Sequence, residues 1–157
     1  MNRLLTPAVA VVALAALAAC EKPAPGATVF SGTNSAHREA ICWSFDADNE
    51  FDPTSDCQIQ LESTEGFNER LLDDIAVIPT AAGETVGMSV DPGVAEDGWL
   101  VTINGRTLTR EPITEKYFRF TMPPQPLRGG DAQLVIQALT TGGDAVRGSW
   151  IFGLSAD

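Results

Sequence analysis

The chain is 157 residues long and carries 21 acidic against 10 basic residues, which gives a formal net charge of −11 at pH 7. A surface of that sign repels phosphate backbones and anionic lipid headgroups, so nucleic acid is excluded as a partner and a basic patch is excluded as a means of membrane attachment. The length suits one domain with a real core and is too short for a bilobed solute receptor.

The first 19 residues have the layout of an export signal. Arg3 precedes an apolar run over residues 4–19, which is shorter than the roughly 20 apolar residues that cross a bilayer. Residues 17–20 (LAAC) resemble the lipobox of bacterial lipoproteins, which implies that Cys20 receives a diacylglyceryl group and becomes the new N-terminus. Cleavage at the small residues 16–18 without lipidation is the alternative. We predict a lipoprotein held on the outer face of the cell membrane or of another envelope membrane, because two acyl chains anchor stably.

Cleavage before Cys20 would leave 138 residues, with nine basic and 21 acidic side chains and a net charge of −12. The segment at residues 20–36 is rich in Pro, Ala, Gly, Ser and Thr, a composition typical of a flexible linker. We therefore predict a lipid-anchored stalk over residues 20–36, with room for a short strand at residues 28–30. The folded domain is predicted to span residues 37–157.

Two cysteines remain besides Cys20. In a chain bound for an oxidising compartment, Cys42 and Cys57 predict a disulfide. A redox pair or a metal site is the alternative, but redox cysteines are usually closely spaced and metal sites need further histidine or cysteine ligands. A structural bridge is the better interpretation.

Alternating apolar residues over 41–45 and again over 57–61 indicate two half-buried strands. Residues 65–74 contain a stretch able to form one or two helical turns before an apolar segment at residues 75–78. In the second half, alternation at residues 86–90, 99–103 and 117–120 predicts three further strands, with a turn region over residues 91–98.

Two hairpins complete the pattern. Asn104-Gly105 supplies the positive φ angles of a two-residue turn, so Trp99–Ile103 should pair with residues 106–109. Residues 132–139 and 145–154 should pair across a turn at 140–144, with Trp150, Phe152 and Leu154 on one face. Seven to nine short strands separated by Gly and Pro predict an all-β fold, an antiparallel β-sandwich.

Three segments carry a resemblance to a protein family: residues 85–95 (TVGMSVDPGVA), 98–101 (GWLV) and 148–152 (GSWIF). They resemble uncharacterised envelope lipoproteins of actinobacteria, over about the last two-thirds of the chain. The resemblance implies a signal or anchor, a cysteine pair in the first half and an immunoglobulin-like β-sandwich. It implies no biochemical activity.

The sequence offers little for catalysis or for a cofactor. His37 is the only histidine, so a serine or cysteine nucleophile lacks a convincing base and zinc has at most one nitrogen ligand. No catalytic residue and no cofactor is predicted. One constellation stands out inside the predicted disulfide loop, where oxygen ligands for Ca²⁺ lie close together: Asp46, Asp48, Glu50, Asp52 and Asp56.

This acidic loop begins like an EF-hand loop, but Phe51 takes the place of the obligatory glycine and Cys57 that of the final glutamate. A solvated acidic surface is therefore preferred to a calcium site. Three function classes stay open: a non-catalytic envelope module that binds a protein, peptide or glycan, a small-ligand carrier with a cavity between the sheets, and a hydrolase using carboxylates such as Asp73 and Asp74. The first is preferred.

Overall fold

The computed structural model describes residues 22–57, 75–123 and 131–155, which form ten strands and one helix. The elements in the first half of the chain are β1 (Gly26–Ser31), β2 (Asn34–Glu39), β3 (Cys42–Trp43), β4 (Ala76–Pro79) and β5 (Thr85–Val90). Those in the second half are α1 (Pro92–Asp97), β6 (Trp99–Ile103), β7 (Arg106–Thr107), β8 (Tyr117–Thr121), β9 (Asp131–Leu139) and β10 (Val146–Ser155). The predicted helix over residues 65–74 and most of the strand over 57–61 lie outside the described residues.

The strands form two sheets. Sheet A has four strands in the order β2-β1-β5-β8, and all of its pairs are antiparallel. Sheet B has six strands: β3-β10-β9-β6-β7 in order, with β4 beside β10. The β4–β10 pair is the single parallel pair among the described strands. The predicted all-β sandwich is confirmed; its immunoglobulin-like character stays a prediction.

Alternation along each strand places the core between the sheets. From sheet A, alternate residues of β1 and β5 point inward, and Val29 pairs with Met88 at the centre of the ladder. From sheet B, Trp99, Trp150 and Phe152 are fully buried. The three residues predicted to share one face of the last strand, Trp150, Phe152 and Leu154, therefore do so.

The predicted stalk is wrong from Gly26 onward. Residues 26–39 form the β1–β2 hairpin of sheet A, and Ala27 and Val29 are fully buried. Pro25 is also fixed, because its carbonyl accepts hydrogen bonds from the Ala40 N–H at 3.0 Å and from the Trp150 indole at 3.1 Å. Small residues such as alanine are compatible with a flexible linker, yet here they alternate with larger ones and fit a tightly packed interior. The folded domain thus begins before residue 37.

The two ends of the sandwich are called proximal and distal, after the start and the finish of β1. At the proximal end β1 begins, and Asp91 donates its N–H to the Gly26 carbonyl. At the distal end β1 finishes, and the Ser31 hydroxyl donates to Glu84 at 3.1 Å. The Asn104-Gly105 turn lies at this distal end, since Asn104 and Met122 line one cavity and the Met122 N–H donates to the Glu84 carbonyl.

Strand β3 of sheet B is shorter than the alternating pattern over residues 41–45 predicts. Of the predicted strand over residues 41–45, Cys42–Trp43 forms β3 and pairs with β10, and the flanking N–H groups of Ile41 and Ser44 also donate to β10 carbonyls. Phe45 is 58% exposed. The predicted turn region over residues 91–98 contains a helical segment, α1, with proline in its first turn. Proline fits there because the first N–H groups of a helix have no partner within it.

A tryptophan closes the proximal end of the core. Trp43 lies across Gly148, its partner in the β3–β10 pair, and contacts Trp150 with ring centroids 5.9 Å apart. The Arg147 guanidinium lies over the Trp43 ring, 4.5 Å from its centroid, and forms an ion pair with Asp97 at 2.9 Å. These contacts connect β10, which carries Arg147, to Trp43 of β3 and to Asp97 of α1.

Both predicted hairpins are present. β6 pairs with β7, although β7 stops at Thr107, and β9 pairs with β10. Asn104 and Gly105 have φ angles of 47° and 75°, the left-handed values that a two-residue turn requires.

We predict that Gly105→Val lowers the free energy of unfolding by about 1 kcal/mol or more, because a β-branched residue is strained at positive φ. Urea unfolding of the two proteins measures this difference. Gly93→Val is the matched control, since Gly93 lies in open space and has no positive φ. Equal losses for the two variants would contradict the turn assignment.

Candidate functional site

An apolar groove opens between the two sheets at the distal end. We call it the distal groove and define it by Ile103 of β6, Leu108 after β7, Phe118 and Phe120 of β8, and Met122. Its volume is about 410 Å³. Arg106 and Thr121, both exposed, also line it.

The groove exists because the edge strand of sheet A, β8, is longer than the edge strand of sheet B, β7. Phe118 and Phe120 point inward from β8 while Tyr117, Arg119 and Thr121 point outward. The edge strand of the opposite sheet, β7, has only two residues, so it does not cover the two phenylalanines. They pack on the core and stay half-buried, and Phe118 also meets Trp99 edge to face at 6.3 Å.

The lining suits binding rather than proton transfer. Pockets of about 300–1,000 Å³ with mostly apolar walls and a few polar groups are typical of ligand sites. Of the described side chains that line the groove, none is an acid, a histidine or a cysteine. The arrangement can therefore hold an apolar group, with Arg106 placed to meet an anion.

The charge near the groove differs from that of the whole chain. Residues 98–123 contain four basic side chains against two acidic ones, Glu111 and Glu115; the basic ones are Arg106, Arg110, Lys116 and Arg119. Within the described part of the chain, neither Arg106 nor Arg119 takes part in an ion pair. The five acids of the predicted calcium loop lie at the other end, where the loop is joined to Val146 and Thr141 by backbone hydrogen bonds.

The acidic loop uses its carboxylates to hold its own backbone. Asp46 accepts hydrogen bonds from the Asp48 N–H at 3.1 Å and from the Asn49 amide at 2.6 Å. Asp56 accepts from the Asp52 N–H at 2.8 Å. These oxygens face the loop itself, as in the local turns that aspartate commonly forms.

Asp52 shows the same behaviour most clearly. The hydroxyl and then the backbone N–H of Thr54 donate to its carboxylate at 2.7 and 2.8 Å, and these bonds lower the pKa of Asp52 below its usual value. The pKa is depressed in the folded state, so this contribution to stability is present above the ordinary aspartate pKa and is lost as the pH falls through the lowered one.

The structure does not bring the five acids into a metal site. In residues 22–57, 75–123 and 131–155, no three His, Cys, Asp or Glu side chains lie close enough together to hold a metal ion. The preference for a solvated acidic surface over a calcium site stays a prediction.

The remaining predicted residues have different outcomes. Cys42 and Cys57 form a disulfide, as predicted. His37 lies on the exposed strand β2, where its Nδ1 is 2.9 Å from the Thr28 hydroxyl. The lipidation site Cys20 and the carboxylates Asp73 and Asp74 lie outside the described residues.

A second pocket of about 560 Å³ lies at the proximal end, beside the disulfide. Lys22, Glu39 and Asp56 line it together with Trp43 and Phe45. Its charges are of both signs, and the Trp43 ring is already covered by Arg147. Although this pocket is larger than the distal groove, its mixed charges favour no single class of ligand.

Compared with models of known protein families, with curated proteins and with solved structures, the chain matches none. No helix in the part of the chain that the structure describes is long and apolar enough to cross a membrane.

Proposed function

We propose that the protein is a non-catalytic binding module of the cell envelope, which holds an apolar part of a protein, peptide or glycan in the distal groove. The observation that carries this proposal is the half-buried pair Phe118 and Phe120, left uncovered by the short strand β7. Large apolar side chains at a concave, partly exposed site are the usual feature of a binding surface.

The disulfide is consistent with a location outside the cytoplasm, where such bonds persist. We further propose that a lipid on Cys20 holds the domain on the membrane, in agreement with the resemblance to actinobacterial envelope lipoproteins. Five residues lie between Cys20 and Gly26, so the two are at most about 22 Å apart. Since β1 begins at the proximal end, the domain would sit close to the bilayer with the distal groove facing away from it.

Lipid anchoring predicts that Cys20→Ser releases the protein into the soluble fraction of the envelope. Fractionation of cells that produce each form, followed by detection of the domain, measures this. Because the substitution leaves the described domain intact, the released form should unfold at the same temperature as the wild type. A substituted protein that stays with the membranes would exclude Cys20 as the tether.

The binding capacity of the groove can be tested with anilinonaphthalene sulfonate, an apolar anion whose fluorescence rises in apolar sites. We expect the folded domain to bind this dye and Leu108→Ser to weaken binding by about tenfold, since one apolar wall becomes polar. Val77→Ser is the matched control, because Val77 is 50% exposed and lies outside the groove. Equal dye binding by both variants and the wild type would remove the groove as the site.

A small-ligand carrier is the second candidate. It is favoured by the groove volume of about 410 Å³, which lies within the range of small-molecule sites. A small apolar ligand needs only the groove, whereas a peptide partner could also form hydrogen bonds with the backbone beside it.

A further inference from the structure

We propose that the partner is an extended peptide segment with alternating apolar and acidic residues, which adds a strand to the free edge of β8. Its apolar side chains would enter the distal groove and its acidic ones would lie beside Arg119. The inference rests on the proposed function and gives the bound partner a chemical class.

The backbone of β8 has one edge that no described strand pairs with. Val90 donates its N–H to the Lys116 carbonyl, and Met122 donates to the Glu84 carbonyl, in the same register as the rest of the β5–β8 ladder. Hydrogen-bonded and non-bonded pairs alternate along an antiparallel ladder. The N–H and C=O groups of Tyr117, Arg119 and Thr121 therefore point away from β5, and none of the described strands pairs with them.

The side chains beside that edge define an alternating ligand. An added strand would run about 4.8 Å from β8, with successive side chains on opposite faces. Those on the inner face would meet Phe118, Phe120 and the rest of the groove. Those on the outer face would lie next to Arg119, which is exposed there.

The positive charges beside β8 favour acidic residues at the polar positions of the ligand. Arg106 lines the groove, Arg119 is exposed on the outer face of β8, and neither forms an ion pair with any described residue. A carboxylate opposite an arginine on a neighbouring strand is favourable, and a like charge there is unfavourable. Acidic residues on the outer face of the ligand therefore complement this edge.

The other edge of sheet A shows why β8 is the better site. β2 has the sequence NSAHRE, its side chains are exposed on nearly every position, and Ala36 is the largest apolar residue it offers. Polar and charged residues on an edge strand oppose pairing with another chain. β8, in contrast, combines a free backbone with an adjoining apolar groove.

The test uses two fluorescently labelled synthetic peptides with the sequences SEVEFEVES and SKVKFKVKS, measured by fluorescence anisotropy with the folded domain. We expect the acidic peptide to bind and the basic peptide to bind at least about tenfold more weakly. Arg119→Glu should reverse this order, while Lys22→Glu, the same charge change at the proximal end, should preserve it.

A backbone-blocked peptide isolates strand addition. N-methylation of alternate amides on one edge of SEVEFEVES removes the donors that would pair with β8 but keeps the side chains. We expect loss of binding for the peptide methylated on the pairing edge and retained binding for the one methylated on the opposite edge. Equal affinity of the two would overturn strand addition.

The outcomes separate this inference from the proposed function. Dye binding that depends on Leu108, together with no peptide binding up to about 1 mM, would overturn the peptide proposal and leave the groove as a small-ligand site. Self-association of the wild type that Arg119→Glu abolishes, seen by sedimentation equilibrium, would also overturn it, because the occupant of the β8 edge would be a second copy of the chain.

Discussion

Replacing Cys42 and Cys57 together with alanine is expected to lower the free energy of unfolding by about 3 kcal/mol, the largest effect of any change proposed for this protein. The disulfide joins residues 15 apart in sequence, and without it the unfolded chain gains the entropy of an open loop. The bond also holds the acidic loop against β3, where Trp43 donates its N–H to the Asp56 carbonyl at 2.9 Å. Urea unfolding of the two proteins at one pH measures the difference.

The matched control is the wild type under reducing conditions, which removes the bond without changing side-chain volume. Both routes should give the same loss, since both act by opening the loop. A loss below about 1 kcal/mol would mean that the loop is held chiefly by its backbone and carboxylate hydrogen bonds.

Gly148→Ala is expected to lower the free energy of unfolding by about 2–3 kcal/mol. A methyl group at this position would collide with the Trp43 ring and would lie 2.9 Å from the Cys42 carbonyl oxygen. The ring has little freedom to move, because Arg147 stacks on it and is held in turn by Asp97. Strand β3, or the tryptophan, must therefore shift out of its packed position.

A double-mutant cycle with Trp43→Leu tests the cause. In the Trp43→Leu protein the added methyl should be less destabilising, because the ring with which it collides is gone. Gly93→Ala serves as the control, since a Cβ at that position meets no heavy atom within 4 Å apart from those of its chain neighbours and of its own helix backbone. A loss at Gly148 that is unchanged in the Trp43→Leu background would show that the backbone contact, rather than the tryptophan, is responsible.

The second half of the chain could be predicted from sequence because its signals are local. Asn104-Gly105 fixes a turn by its φ requirement, and the alternation of Trp150, Phe152 and Leu154 fixes which face of β10 is buried. The disulfide followed from the pairing of the only two cysteines other than Cys20.

The β1–β2 hairpin could not be predicted with equal ease. Its inward residues in β1 are Ala27, Val29 and Ser31, and small or polar residues are as common in linkers as in strands. What fixes them is tertiary: β1 pairs with β5, a strand about 60 residues away in sequence. The residues of β1 alone do not indicate that it pairs with β5.

The distal groove was not predicted either. Phe118 and Phe120 alternate as any half-buried strand does, and the pattern does not say whether the opposite sheet covers them. That depends on where β7 ends, and the strand that is predicted to reach residue 109 ends at Thr107. The polar run that follows Leu108, with Pro112 in it, is the signal that marks the shorter strand.

Binding of the partner at the distal end is tested most directly by photo-crosslinking in the cells that produce the protein. Benzoylphenylalanine would be placed at Thr121, on the rim of the groove, or at Glu96 in α1 at the proximal end. We expect a discrete adduct from position 121 that Leu108→Ser abolishes, and none from position 96. An adduct from position 96 with none from position 121 would contradict the account.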